Sequence, residues 1–329
     1  MSFNAYRINQ IDGNIAAAFE RLELDDLTPG EVVIKVMWSG VNYKDALAAT
    51  GRGKILRQFP LNGGIDLSGV VTQSSDSRFR EGDQVLASGG GLSETADGGY
   101  AEVARVKADN VVPLPDGLDL REAMILGTAG FTAAMAVARM TQNGQTVDNG
   151  PIVVTGATGG VGSVAINILS ASGYDVVAFT GKKEQHDYLR ALGAGDFIDR
   201  NTIEKGNRPL EKATWGGAVD NAGGETLAWL TRTVKPWGNI ASIGLVDSHE
   251  LHTTVMPFIL RGVSLLGINS IEMPTAMRNE IWSRLGADLK PNKLDSIVTR
   301  EVPLTDLPSV FESYFDGSNW GRTVVKIQG

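Results

Sequence analysis

The stretch Ile152 to Lys183, IVVTGATGGVGSVAINILSASGYDVVAFTGKK, restricts the fold more than any other part of the 329-residue chain. Ile152, Val153 and Val154 form a short β-branched run of the sort that parallel sheets bury on both faces. Gly156, Gly159, Gly160 and Gly162 then remove side chains where the backbone must turn tightly and let a phosphate approach its amides. From Val161 the apolar residues Val164, Ile166, Ile168 and Leu169 fit one helix, whose unpaired N-terminal N–H groups and positive dipole end favour a pyrophosphate. Gly173 ends that helix, and Asp175 to Thr180 supplies a second strand. The glycines are spaced G-x-x-G-G-x-G rather than G-x-G-x-x-G, so the flanking strands and helix carry the reading as much as the turn does. The prediction is a dinucleotide-binding βαβ unit cradling phosphate at Thr158, Gly159, Gly160, Val161 and Gly162; the alternative is a glycine-rich turn without a ligand.

The end of the second strand distinguishes the two nicotinamide dinucleotides. A site for NAD places Asp or Glu there, about 20 residues after the glycines, to bind the adenosine ribose hydroxyls. This chain has Thr180, Gly181, Lys182 and Lys183 instead, with Arg200 following the next predicted strand, Asp196 to Asp199. A 2′-phosphate would meet a hydroxyl and several cations, which predicts NADPH. The competing reading of Lys182 and Lys183 is a solvated pair opening a helix.

A chain of this length exceeds what one core usually serves, so two domains are expected. The net charge of −8 and pI near 5.0 argue against nucleic acid as a partner. With no Cys and three His, thiolate catalysis and cysteine-rich zinc sites are excluded; His249 and His252 lie in a polar stretch and read as surface residues. No cationic leader followed by an apolar core, and no run approaching about 18 apolar residues, is visible, so the expected compartment is the cytoplasm, without membrane attachment.

Before residue 122 the pattern is of short extended segments and glycine turns: Glu31 to Trp38, Gly69 to Thr72, Gln84 to Ala87 and Tyr100 to Val106. A small β-barrel-like domain is expected there. From Leu120 the chain turns helical, enters the βαβ unit and continues with a helix at Lys183 to Leu192, strands at Phe197 to Ile198 and Ala218 to Asn221, a helix at Glu225 to Thr233 and strands at Asn239 to Ile243 and Leu265 to Ile268. That alternation predicts a doubly wound parallel α/β sheet of the Rossmann type. Pro274 to Asp288 reads as an amphipathic helix, and the terminal strand, Arg322 to Ile327, closes the first domain or extends the second. The boundaries so drawn are 1–121 with 298–329, and 122–297. Ligands of such sheets lie beyond the carboxyl ends of the strands, here Asn221-Ala222-Gly223, Ile243-Gly244-Leu245 and Ile268-Asn269-Ser270. Any single glycine among these has a turn as its alternative role.

Four segments carry a resemblance: WSGVNYKDA from Trp38, GIDLSG from Gly64, GGYAE from Gly98 and GTAGFTA from Gly127. In this order they resemble the medium-chain dehydrogenases/reductases, and NYKDALA, GKILRQFP, VVTGATGGVGS, MPFILRGVSLLGINS and GRTVVKI resemble the zinc-free acrylyl-CoA reductase subgroup, long labelled quinone oxidoreductases. The resemblance implies a GroES-like catalytic domain beside the Rossmann domain. Where zinc relatives have an early Cys and a His-Glu pair, this chain has no Cys and Ile65-Asp66, so the metal shell cannot form. It implies NADPH-dependent reduction of the carbon–carbon double bond of a short enoyl-CoA thioester, acryloyl-CoA above all. Hydride goes to the β-carbon, negative charge to the thioester oxygen, and a proton from water or a phenol to the α-carbon.

The resemblance further implies that Asn42 or Tyr43 orients substrate, that Tyr43 touches the nicotinamide, that Thr128 lies near its ribose, and that Leu245 and Ile268 read its carboxamide; the strand-end rule itself sets Asn221, Ala222, Gly244 and Ser270 along the cofactor track. Tyr43 as an ordinary packed residue is the alternative, and Asp45 reads as a helix cap rather than an acid. Arg322 is either a contact to cofactor or substrate phosphates or a surface arginine on a strand. Val255 to Ile268 is too apolar to face water over its whole length, and the resemblance implies that its edge strand pairs with that of a second copy in a homodimer with a continuous sheet; the alternative is a buried central strand in a monomer. An NADPH:quinone oxidoreductase and a non-catalytic NADPH-binding sensor remain as alternative functions.

Overall fold

The computed structural model describes residues 2–328. In chain order the first part holds β1 (Phe3–Ile11), β2 (Asn14–Leu22), β3 (Val32–Val41), α1 (Tyr43–Thr50), β4 (Leu61–Asn62), β5 (Asp66–Ser74), β6 (Gln84–Ser88), β7 (Val103–Val106), β8 (Val111–Pro113) and α2 (Leu120–Gln142). The middle holds β9 (Ile152–Thr155), α3 (Gly160–Ala171), β10 (Val176–Thr180), α4 (His186–Leu192), β11 (Asp196–Asp199), β12 (Trp215–Asp220), α5 (Gly224–Thr233), β13 (Val234–Ser242), α6 (Met256–Arg261) and β14 (Ser264–Gly267). The chain closes with α7 (Thr275–Leu285), α8 (Leu294–Ile297), β15 (Val298–Pro303), α9 (Leu307–Glu312) and β16 (Arg322–Lys326).

The chain divides into two compact units: residues 1–128, 270–288 and 298–329 form one, and 129–269 with 289–297 the other. The first boundary thus falls after residue 128 rather than 121, and residues 270–288 belong with the β-rich unit. A physical reason is visible at Arg278, on α7, whose guanidinium is buried and donates to the carbonyl of Asp109 and the side chain of Asn110.

In the first unit, β16 and β3 run side by side within the strand order β15-β16-β3-β5-β6-β8, and β7 also pairs with β3. The terminal strand therefore closes this unit, setting Thr323 opposite Val41 in antiparallel register. Alternate residues of β3 and β5 point inward, so Val32, Ile34, Val36, Leu67 and Val71 meet Val85 and Val106 in one core. A second core gathers Val41, Ala46, Tyr100, Phe311 and Val325 beneath α1. The β1–β2 hairpin, with β4 on the other side of β1, makes a smaller sheet. Its turn is Asp12-Gly13, both with positive φ (51° and 83°), the geometry that two-residue hairpins favour.

The second unit is a six-stranded parallel sheet in the order β11-β10-β9-β12-β13-β14, the doubly wound order with its reversal between β9 and β12. Val153, Phe179, Leu227, Trp229 and Ile240 fill its core. Val255 to Ile268 is not one strand: Met256–Arg261 is helical with Pro257 in its first turn, Gly262 ends the helix in the left-handed region, and only Ser264–Gly267 is strand, at the sheet's edge. Likewise the helix expected from Lys183 begins as one 3-10 turn and becomes α-helical at His186. Among the described residues α2 is long and apolar enough to cross a membrane, and 89% of that stretch is buried within the protein, as a core helix is.

Candidate active site

At the carboxyl end of β9 the backbone turns through Gly156, with φ at 57°. Gly162 is required by close approach: a Cβ there would lie 2.4 Å from the carbonyl oxygen of Gly156. α3 starts after Gly159, which offers no side-chain cap, so the first N–H groups of the helix remain available to an anion. Beside this turn, Thr155 donates its hydroxyl to Asp220 (2.7 Å) and accepts the Asn221 N–H (2.8 Å). Burial raises the Asp220 carboxyl, while the Thr155 hydroxyl and the N–H groups of Gly223 and Ala222 hold it down. Asn221 donates its amide nitrogen to the carbonyl of Thr155 at 2.7 Å, leaving its buried Oδ1 without a partner among the described residues. An orphaned acceptor at the end of β12, next to an uncapped helix start, fits a dinucleotide bearing ribose hydroxyls and phosphates. Gly244 lies so close to Asn221 that a Cβ would stand 2.2 Å from its carbonyl, and Leu245 after it is exposed.

At the end of β10, Thr180 is buried and its hydroxyl accepts the Lys182 N–H at 3.0 Å. The Lys183 ammonium pairs with Asp199 at 3.0 Å, and Asp199 is directly opposite Thr180 across the β10–β11 pair. The Asn201 N–H and Lys183 together hold the Asp199 carboxyl below its ordinary range. Lys183 is thus partly spent on an acid whose effect the sequence reading did not weigh. Arg200 extends its side chain over Gly181, where a Cβ would meet its Nε at 2.9 Å, and it has no ion pair among the described residues. Ile268 bonds its N–H to the carbonyl of Ser242 beyond the end of β14, and Ser270 already belongs to the first unit.

In the first unit, a buried polar cluster gathers around the β3–α1 junction. Asp66, fully buried, accepts the Thr128 hydroxyl at 2.6 Å, the Thr128 N–H at 3.0 Å and the Asn42 amide at 2.7 Å. Asn42 also donates to Asp45 at 3.1 Å and accepts from Arg322 at 3.0 Å, so both ends of its amide are engaged. Asp45 caps α1 by accepting the Asn42 N–H at 2.8 Å and holds the Ile65 N–H at 2.9 Å. Burial and the nearby Asp66 carboxylate push Asp45 up to about 7, against the pull of those donors. Arg322 is neither a surface residue nor a contact open to ligand phosphates. It is 3% exposed and donates to the carbonyls of Ile125, Val41 and Met124, with its guanidinium 3.9 Å from Asp66. Gly127, at φ 48° and ψ −153°, interrupts α2 so that the chain can pass this cluster; a Cβ there would lie 2.6 Å from Asp66 Oδ2.

Tyr43, the first residue of α1, stands apart from that cluster. It is 45% exposed, and its ring meets Phe315 at 5.9 Å between centroids. Two further tyrosines hold the β3 end in place: Tyr100 donates to the carbonyl of Gly40 and Tyr314 to that of Val41. The signal for Arg322 and Tyr314 as interior groups was the apolar company of the terminal segment, which only the β16–β3 pairing turns into an address.

A β-rich unit with a buried polar cluster and, apart from it, a solvent-exposed tyrosine, and a doubly wound unit with an uncapped glycine turn, define a nicotinamide-dependent oxidoreductase. Residues 28–116 match the alcohol dehydrogenase GroES-like domain, and residues 160–285 match the zinc-binding dehydrogenase domain. The acrylyl-CoA reductase AcuI of Ruegeria pomeroyi is 44% identical over 328 residues, covering 99% of each chain. YhfP of Bacillus subtilis, carried under a quinone oxidoreductase name, is 45% identical over 99% of each chain. Among solved structures, the yhdH oxidoreductase of Salmonella enterica in complex with NADP is 44% identical with a TM-score of 0.95 and full coverage of both chains. The Bacillus subtilis yhfP structure with NAD bound is 44% identical with a TM-score of 0.97, over 99% of this chain and 100% of that one. The chain belongs to the medium-chain dehydrogenase/reductase superfamily, in the branch of the acrylyl-CoA reductases.

The zinc that the second family description names does not suit this donor set. The chain has no thiol, Ile65 offers no ligand atom, and the Arg322 guanidinium sits where it repels a cation. Its three imidazoles lie elsewhere: His186 stacks on Phe197, His252 pairs with Glu250, and His249 is three residues from His252.

Proposed function

We propose that this protein reduces the carbon–carbon double bond of a short enoyl-CoA thioester, acryloyl-CoA in the first place, with NADPH as reductant. The full-length likeness to acrylyl-CoA reductases supports the substrate, and the cation-bearing end of β10 supports NADPH over NADH. Bound NADPH supplies the hydride that reduces the β-carbon. Thr158 to Gly162 hold the pyrophosphate on the α3 N-terminus, Thr180, Gly181, Lys182, Lys183 and Arg200 surround the adenosine ribose phosphate, and Asn221 Oδ1 accepts a ribose hydroxyl. Ala222, Gly244, Leu245, Ile268 and Ser270 complete the track. Of the six strands in the sheet, β10 alone ends in Thr-Gly-Lys-Lys, which is the observation that carries the cofactor choice.

Tyr43 is assigned to the reacting end, where its exposed hydroxyl donates to the thioester oxygen as negative charge builds there, or passes a proton to the α-carbon. Asn42 and Thr128 take a supporting role. Their polar atoms are bonded to Asp45, Asp66 and Arg322, so in this reading they fix the backbone that presents Tyr43. The exposed side chains of Ile259 and Leu260 on α6 and the open edge of β14 support a homodimer formed through this region. The cytoplasm is the proposed compartment.

The test follows NADPH absorbance with purified protein against acryloyl-CoA, crotonyl-CoA and a small quinone, with NADH as control donor. Fast turnover of acryloyl-CoA, slow turnover of the quinone and little with NADH is the expected pattern. Preference for the quinone transfers the assignment to the activity under which YhfP is named. Tight NADPH binding without turnover of any acceptor leaves a sensor.

A further inference from the structure

The first unit contains a cavity of about 490 Å³ that none of the site residues above line. One wall is the loop after β6, where Gly89, Gly90 and Gly91 all take positive φ (63°, 59° and 91°). A side chain is excluded at two of these glycines: a Cβ on Gly90 would lie 2.5 Å from the Asn110 amide, and one on Gly91 2.6 Å from the Thr95 hydroxyl. Asn110 ties the loop by donating to the Gly90 carbonyl at 2.8 Å and accepts from Arg278 at 3.2 Å. Arg278 is itself spent, its guanidinium donating also to the carbonyls of Asp109 and Met273. Thr95 is anchored through its carbonyl by Gln58 at 2.7 Å. The cavity is therefore preformed by groups that bond to one another and need no ligand to hold it open.

Its charge is sorted. Glu94 is neutralised by an ion pair with Lys44, and Glu272 lines the cavity together with Met273 and Pro274. Arg57 lines the cavity beside Glu94, to whose carbonyl its N–H is bonded at 2.8 Å. The Arg57 guanidinium is exposed and has no hydrogen bond or ion pair among the described residues. The cavity lining thus offers one uncommitted cation, Arg57, and the backbone of Gly90 and Gly91. The Lys44–Glu94 pair connects this wall to the residue next to Tyr43.

We propose that this cavity receives the phosphopantetheine arm of the acyl-CoA, with Arg57 on a phosphate oxygen and the arm's amides along the Gly90–Gly91 wall. The inference rests on the enoyl-thioester reading and adds to it the place where the CoA is held. An acyl group at Tyr43 leaves its pantetheine arm to run past Lys44 and Glu94, and an extended arm presents two amides and then phosphate. A guanidinium suits a phosphate by charge and by its fork of donors.

The experiment measures KM and kcat for acryloyl-CoA and for the acryloyl thioester of N-acetylcysteamine, which ends before the phosphates, in the wild type, Arg57→Ala, Arg57→Lys and Arg57→Glu. Arg57→Ala raises KM for acryloyl-CoA about tenfold with kcat nearly kept, Arg57→Glu raises it further, and Arg57→Lys recovers part of the loss. The truncated thioester shifts less than twofold across the series. A wild-type enzyme that turns over acryloyl-CoA, with KM unchanged in Arg57→Ala, overturns the cavity assignment alone. Equal losses on both thioesters also overturn it, because Arg57 would then act at the reacting end or through the fold. A wild-type enzyme that ignores acryloyl-CoA and reduces quinone removes the enoyl-thioester reading and this inference with it.

Discussion

Replacing Asp45 by Asn tests the buried cluster at the β3–α1 junction through the pH dependence of stability. In the folded protein burial, reinforced by the Asp66 carboxylate, raises Asp45 from 3.8 to about 7. The folded state therefore binds a proton that the unfolded chain has released over the window between those values. An acid raised in this way contributes stability that is full below the unfolded pKa and is lost as pH rises through the folded pKa. Integrated from pH 5 to pH 7, the group alone takes away about 2 kcal/mol, with a slope approaching 1.4 kcal/mol per pH unit near pH 5.5. Asp45→Asn removes that slope. Its amide keeps an acceptor for Ile65 but turns a donor toward Asn42, so it lowers stability overall; the diagnostic quantity is the difference in slope between the two proteins. Urea unfolding followed by tryptophan fluorescence at pH 5, 6, 7 and 8 measures it. Parallel curves for wild type and variant would show that Asp45 is ionised throughout and would refute the argument from burial.

Other expectations follow from single groups. Replacing Lys182 and Arg200 together by Ala raises the Kd for NADPH at least about tenfold and leaves that for NADH within a few-fold, by fluorescence titration, whereas Lys183→Ala does less because Asp199 already holds that ammonium. Arg322→Met leaves buried carbonyls and the Asp66 carboxylate uncompensated and lowers unfolding stability by about 3–5 kcal/mol in denaturant titration. Tyr43→Phe lowers kcat with acryloyl-CoA by about 10²-fold with little change in NADPH affinity; retention of full kcat would assign the proton to water. Charging the α6 face with Ile259→Asp and Leu260→Asp converts the proposed homodimer to monomer in sedimentation equilibrium, and a mass unchanged from wild type would refute an interface at this face.

The doubly wound unit is legible in the sequence because its signals are local. The β-branched run at Ile152, the glycines after it and the helix from Gly160 lie within twenty residues, and the structure places them in the predicted order. The β1–β2 hairpin carried an equally local sign, Asp12-Gly13 between alternating segments, which the sequence reading did not use. Val255 to Ile268 misled by composition: its apolar run suits either a helix or a strand, and Pro257 and Gly262 divide it into one of each. The polar cluster was legible only in fragments. Asn42 and Asp66 stand 24 positions apart and Arg322 lies 280 beyond Asn42, so no periodicity connects them, and only the pairing of β16 with β3 brings the arginine inside. At the cavity beside Arg57 the arginine reads from sequence as one of several scattered basic residues able to contact phosphate, and nothing there joins it to the glycines, which read equally well as turns.

The central claim is that hydride reaches the β-carbon of an enoyl thioester. Purified protein is given acryloyl-CoA and NADPH carrying deuterium at the transferable C4 position, and the product is read by mass spectrometry and NMR. The account predicts propanoyl-CoA with one deuterium on its methyl carbon and none at the α-carbon. Deuterium at the α-carbon, or consumption of NADPH without propanoyl-CoA, would contradict it.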